Sequence, residues 1–112
     1  MRYHVLDTFS KDDAKVVLSS GDIEKSCEVL VAVALNEPDW RWVQEKCLEA
    51  ASNADPRIRC ISATCLGHLA RIHGELDLAR VLPVLAALCD DPETQGCAED
   101  ALSDIKMFIR NA

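Results

Sequence analysis

Asp55-Pro56-Arg57-Ile58-Arg59 opens a stretch that reads DPRIRCISATCLGHLARIHG as far as Gly74. An aspartate followed by proline is a strong helix start. The carboxylate accepts from free N–H groups of the first turn, and proline suits the first helical position because its missing N–H has no partner there. Ile58, Ile61, Cys65, Leu69 and Ile72 then recur at three- and four-residue intervals and form the main stripe. Cys60, Ala63 and Gly67, off that stripe, are also small or apolar. A helix of this kind is contacted on several sides. His73-Gly74 supplies the stop, since glycine readily takes the left-handed conformation that ends a helix.

Five more helices follow from the same signals. Ser10-Lys11-Asp12-Asp13 resembles a capping box, with Ser10 as N-cap and Asp13 reaching back, before a first helix to about Ser19. Asp22 caps a second over about Ile23 to Leu35, and Pro38-Asp39 begins a third, to about Ser52. Asp77 caps a fifth that carries Pro83 inside or near its start. Asp91-Pro92 opens the sixth, which runs close to the C-terminus. On the sixth helix Cys97, Ala98, Ala101, Leu102, Ile105, Phe108 and Ile109 share one face. Glu99, Asp100, Ser103, Asp104, Lys106 and Arg110 share the other. Short connections make successive helices antiparallel neighbours.

Asp55-Pro56-Arg57-Ile58-Arg59 with Ala63 and Cys65-Leu66 is similar to the inner-helix signature of HEAT repeats. Asp91-Pro92, Ala98 and Ala101-Leu102 match it 36 residues on; Asp22, Leu30 and Ala32-Val33 match 33 residues before, with Ile23 in place of the proline. Offsets in this range suit arrays of helix pairs. Pro83 resembles the bend of a HEAT outer helix. The resemblance covers about Lys11 to Arg110. It implies an all-α fold, a right-handed α-solenoid of about three HEAT-like antiparallel helix pairs, in one domain over residues 1–112.

The chain of 112 residues is 49% hydrophobic but only 4% aromatic, so the expected core is Leu, Val, Ile, Ala and Cys. No apolar run follows Met1-Arg2-Tyr3-His4, and the longest, Val29 to Leu35, is far too short to span a bilayer. A cytoplasmic, membrane-free protein is expected. The six cysteines (Cys27, Cys47, Cys60, Cys65, Cys89 and Cys97) lie mostly on apolar stripes with no C-x-x-C pair, so all are expected reduced. The net charge of −7 is uneven: from Glu75 onward three basic residues face eight acidic ones, a net of −5. No Lys or Arg lies between Val81 and Ile105. An acidic end argues against phosphate-backbone binding and suits a basic protein partner, or it serves solubility alone.

Chemistry has little to work with. Glu45 with Glu49, and Asp100 with Asp104, are spaced for one helix face, where paired acids usually form a solvated surface. Cys65, His68 and His73 lie within nine residues, but His73 is rotated away from the other two. Neither a metal nor another cofactor is expected, and no glycine-rich loop cradles phosphate. Arg57 and Arg59 are expected to bond to neighbouring acids or carbonyls. The strongest binding signal is Trp40-Arg41-Trp42: Trp40 shares a face with Val43, Cys47 and Ala51, while Trp42 falls opposite, with Glu45 and Glu49 one and two turns away. Trp42 is then either a partner anchor or packed on the second helix or first connection. In HEAT arrays the inner helices form the concave face. The resemblance there implies a row of Arg57, Thr64, His68 and Arg71 facing Glu93, Asp100, Asp104 and Met107. The candidate partner-binding residues are Trp42, Glu45, Glu49, His68, Arg71, Glu99, Asp100 and Asp104.

The whole chain also resembles small bacterial HEAT-repeat proteins, on Glu37-Pro38-Asp39-Trp40-Arg41-Trp42-Val43 and on Thr64 through Gly74. Some of these resemble immunity proteins, which neutralise a toxin domain of polymorphic or contact-dependent systems. The resemblance implies a protein-binding, toxin-neutralising module that is not an enzyme, with a basic toxin domain as partner and no nucleic acid. The oligomeric state stays open. A scaffold or regulatory adaptor is the alternative. A HEAT-like enzyme, such as an alkylpurine glycosylase or a bilin-type lyase, ranks last, because three pairs leave little room for a deep cleft.

Overall fold

The computed structural model describes residues 9–109. Within them six helices follow one another, with no strand: α1 (Lys11–Leu18), α2 (Ile23–Asn36), α3 (Trp40–Ala50), α4 (Pro56–His73), α5 (Leu78–Cys89) and α6 (Gln95–Phe108). Met1-Arg2-Tyr3-His4 and Arg110, both used in reading the sequence, lie outside the described residues.

Four of the helix starts are capped by side chains, although the bond expected from Asp13 back to Ser10 is not among them. Ser10 Oγ accepts from the Asp13 N–H at 3.0 Å, Asp22 from Lys25 at 3.0 Å, Asp39 from Trp42 at 3.2 Å and Asp55 from Arg57 at 2.8 Å. Each satisfies a first-turn N–H that has no helical acceptor. Gly74 ends α4 at φ 67°, with its N–H on the Ala70 carbonyl. Asp77 makes no side-chain cap; its own N–H donates at 2.8 Å to Oε1 of Gln44, a buried amide that pins the entry to α5 against α3. Pro83 lies within α5 on its exposed side, where the carbonyl it leaves unpaired meets water.

One boundary differs from expectation. Asp91-Pro92 does not open α6; the chain makes a separate turn first, and the helix begins at Gln95 with Thr94 as N-cap. Thr94 is buried, and its hydroxyl donates to the Leu88 carbonyl at 2.7 Å. The Asp91 carbonyl takes the N–H groups of Thr94 and Gln95, and its carboxylate takes that of Glu93. The Asp-Pro signal thus starts a turn tied back to the end of α5.

α4 is the hub. It packs against α2, α3 and α6, while α1 packs on α2 and α5 on α6. Its Ile58, Leu66 and Leu69 meet a core of Val29, Leu30, Val33, Val43, Leu85 and Ile105. No aromatic residue is fully buried among the described residues. At about 25 cal/mol per Å², each buried Leu or Ile stabilises the fold by roughly 2 kcal/mol. The expected α4 stripe needs one correction: Ile61, which faces the open depression beside α2, is half-buried, and Ile72 is 48% exposed. Phe108, assigned to the α6 core face, is 42% exposed at the helix end.

The cysteines bring a second correction. Cys27, Cys47, Cys65 and Cys89 are free, but Cys60 on α4 is joined to Cys97 on α6, with Cα atoms 5.5 Å apart. Both are half-buried, Cys60 off the main α4 stripe and Cys97 on the apolar face of α6. Periodicity reads one helix at a time and does not reveal that the two meet. The Cys65 thiol donates to Cys47 within the core; that bond and burial hold it protonated, its pKa well above the usual range.

Candidate protein-binding surface

The residues singled out from the sequence fall in three places. The first is α3. Trp42 is half-buried against the core, with Lys11 of α1 and Lys46 of α3 each 5.7 Å from its ring centroid. The carboxylates expected beside it are occupied elsewhere. Glu45 forms an ion pair with Arg80 of α5, and the hydrogen bond from that guanidinium lowers its pKa. Glu49 pairs with Lys46 at 3.4 Å. Lys11 also bonds to Asp39 at 2.6 Å, tying α1 to the start of α3 across Trp42. This tryptophan is therefore roofed by lysines, and each nearby acid already has a cation.

The second place is the seam between α4 and α6. Arg71 Nη2 lies 2.7 Å from Nδ1 of His68. Burial, then the neighbouring Arg71, lowers the His68 pKa, and Asp104 on α6 works against both. Asp104 reaches deep into the seam. A Cβ added to Gly67 would meet Asp104 Oδ2 at 2.7 Å and the Ala101 Cα at 3.5 Å, so α4 and α6 approach closely because position 67 has no side chain. His68, Arg71 and Asp104 thus come together; Asp100 is exposed one turn before Asp104, while Glu93, expected in the same row, lies in the turn before α6. Met107 is 74% exposed.

The third place is the groove between α5 and α6, where Glu99 and Lys106 flank Leu82 and Leu102. Glu99 lies here, on a different side of α6 from Asp104. Arg57 and Arg59 behave as expected: Arg57 bonds to Asp55 at 2.8 Å, and Arg59 donates to the Asn53 and Ala54 carbonyls and to Asp91. Among the described residues no three His, Cys, Asp or Glu side chains cluster as metal ligands, and no helix is long and apolar enough to cross a membrane.

One surface was missed. Between α2 and α4 a shallow depression is floored by Cys27, Val31, Leu35 and Ile61, and a second, sharing Cys27 and Ile61, continues it past Cys60 to Glu93. The signal was in the run from Val29 to Leu35, apolar on every side of α2 and not only on the face that packs.

No protein-family model and no curated protein matches this sequence. Among solved structures, a chain of the CDI (contact-dependent inhibition) complex from Cupriavidus taiwanensis LMG 19424 is similar over 100% of this chain and 99% of its own. The TM-score is 0.85 and the identity 30%. Identity at that level along the whole of both chains joins sequence to fold, and this chain belongs to the family of that member of a contact-dependent inhibition complex.

Proposed function

We propose that this protein is an immunity protein: a HEAT-like array of about three helix pairs that binds a toxin domain of a contact-dependent system, neutralises it, and has no catalytic role of its own. The observation that carries this reading is the full-length likeness to a chain of a CDI complex. The charge distribution supports the chemistry of the partner. α6 presents Asp100 and Asp104 one turn apart, Glu93 lies in the turn before it, and the chain from Glu75 onward is strongly acidic. A basic toxin surface complements such acidity.

Against an enzymatic reading, Glu45 is held ionised by Arg80, the reverse of what a general acid needs. The test is co-expression with the toxin domain of the contact-dependent system of its own strain. Growth should be restored, and the two chains should co-purify as a stoichiometric complex. Continued growth arrest, with no complex, overturns the proposal.

A further inference from the structure

We propose that the apolar trough between α2 and α4 holds the partner, and that its occupant is an aliphatic or aromatic side chain on a basic stretch of the toxin domain. This rests on the immunity reading above and names the contact through which it works. Val31 and Ile61 are half-buried, and Leu35 is 47% exposed, although each sits mid-helix or near a helix end beside well-packed neighbours. Apolar side chains left open next to each other on two adjacent helices gain by covering one another with a partner's side chain.

The rim decides what kind of partner. Glu28 edges the trough on α2, and Glu93 edges its far end. The nearest cation, Arg57, already pairs with Asp55 at 2.8 Å. Arg59 reaches Asp91 at 3.1 Å and Glu93 at 4.0 Å, so Glu28, Asp55, Asp91 and Glu93 stand against Arg57 and Arg59; this net negative rim attracts Lys or Arg flanking an apolar anchor and repels nucleic acid or an acidic segment. The competing groove between α5 and α6 has Glu99 and Lys106 on its rim and so no preferred sign. The trough is also preformed. α2 and α4 pack directly on each other, and Cys60, on the trough's wall, is joined to Cys97 of α6, so both walls are held by the fold and little ordering is needed on binding.

The division of labour follows. Acids on α6 bring the toxin in, and the trough sets how long it stays. The probe is the toxin domain used in the co-expression test, in kinetic binding at physiological salt. Leu35→Ala and Ile61→Ala should each raise the off-rate about tenfold or more and leave the on-rate nearly unchanged. Val16→Ala, equally apolar but exposed on α1, should bind as wild type does. Melting curves check folding. Leu35 is exposed enough that its variant keeps the test valid even if Ile61→Ala is unstable.

Wild-type off-rates in a folded Leu35→Ala variant overturn the trough and leave the immunity reading standing. A wild-type chain that neither binds nor protects overturns the immunity reading and the trough with it. A homodimer of wild type that Leu35→Glu dissociates, with toxin binding intact, assigns the trough to a second copy and also overturns the proposal.

Discussion

Cys60 and Cys97 sit 37 residues apart in the chain and close a loop between the hub helix and the last one. Cross-linking a loop of that length restricts the unfolded chain and stabilises the fold by about 2–4 kcal/mol. Denatured without reductant, the protein should therefore show four reactive thiols, not six, and Cys97→Ser should lower the unfolding free energy by that amount. Six thiols in the unreduced protein sink the assignment. His68 offers a second check at this scale. Its folded pKa lies below the ordinary histidine value because burial and Arg71 disfavour the charged ring. The unfolded chain then takes up the proton first as the pH falls, so stability drops on going from about pH 7.5 to pH 5.5 and is regained above. His68→Gln, which can still accept from Arg71, should flatten that slope. The effect is modest, since the ring is only half-buried and partly screened.

Helix by helix, the legible features were local ones. Caps at Ser10, Asp22 and Asp55, the helix start at Pro38-Asp39 and the glycine stop at position 74 act within a turn or two of chain, and sequence spacing records them directly. The features that escaped all require two elements at once. Cys60 finds Cys97, Glu45 finds Arg80, and Gly67 admits Asp104, across seams that no wheel of a single helix contains. Even the Asp91-Pro92 start failed for this reason: Thr94 is drawn into the core and bonded to the Leu88 carbonyl, which delays α6. Trp42 illustrates the same limit in the candidate site, because its roof includes a lysine from α1. The close seam of α4 and α6 makes its own prediction. Gly67→Val places branched carbons against the Asp104 carboxylate and the Ala101 backbone. Overpacking of this kind should cost about 1–3 kcal/mol in chemical denaturation. A variant as stable as wild type would show that the seam is looser than the structure has it.

For the molecule as a whole, charge is the long-range property, and it is gathered at one end. The net charge of −7 is mostly that of the chain from Glu75 onward, so a basic partner meets an attractive field before it meets any contact. Steering of this kind acts on association and is screened over about 30 Å at 0.01 M salt but only about 8 Å at 0.15 M. The residues for testing it must be free of structural duties. Asp104 is not, because its carboxylate fills the space at Gly67 and faces His68. Glu99 and Asp100 are both exposed. Glu99→Lys with Asp100→Lys shifts the local charge by four units while leaving the α4–α6 seam intact. At low salt the double variant should bind the toxin domain about tenfold more slowly than wild type, with a nearly unchanged off-rate. The gap should close as salt approaches physiological strength. Equal on-rates at low salt would show that the acidic end plays no part in recognition. A change confined to the off-rate would move these two side chains into the contact itself.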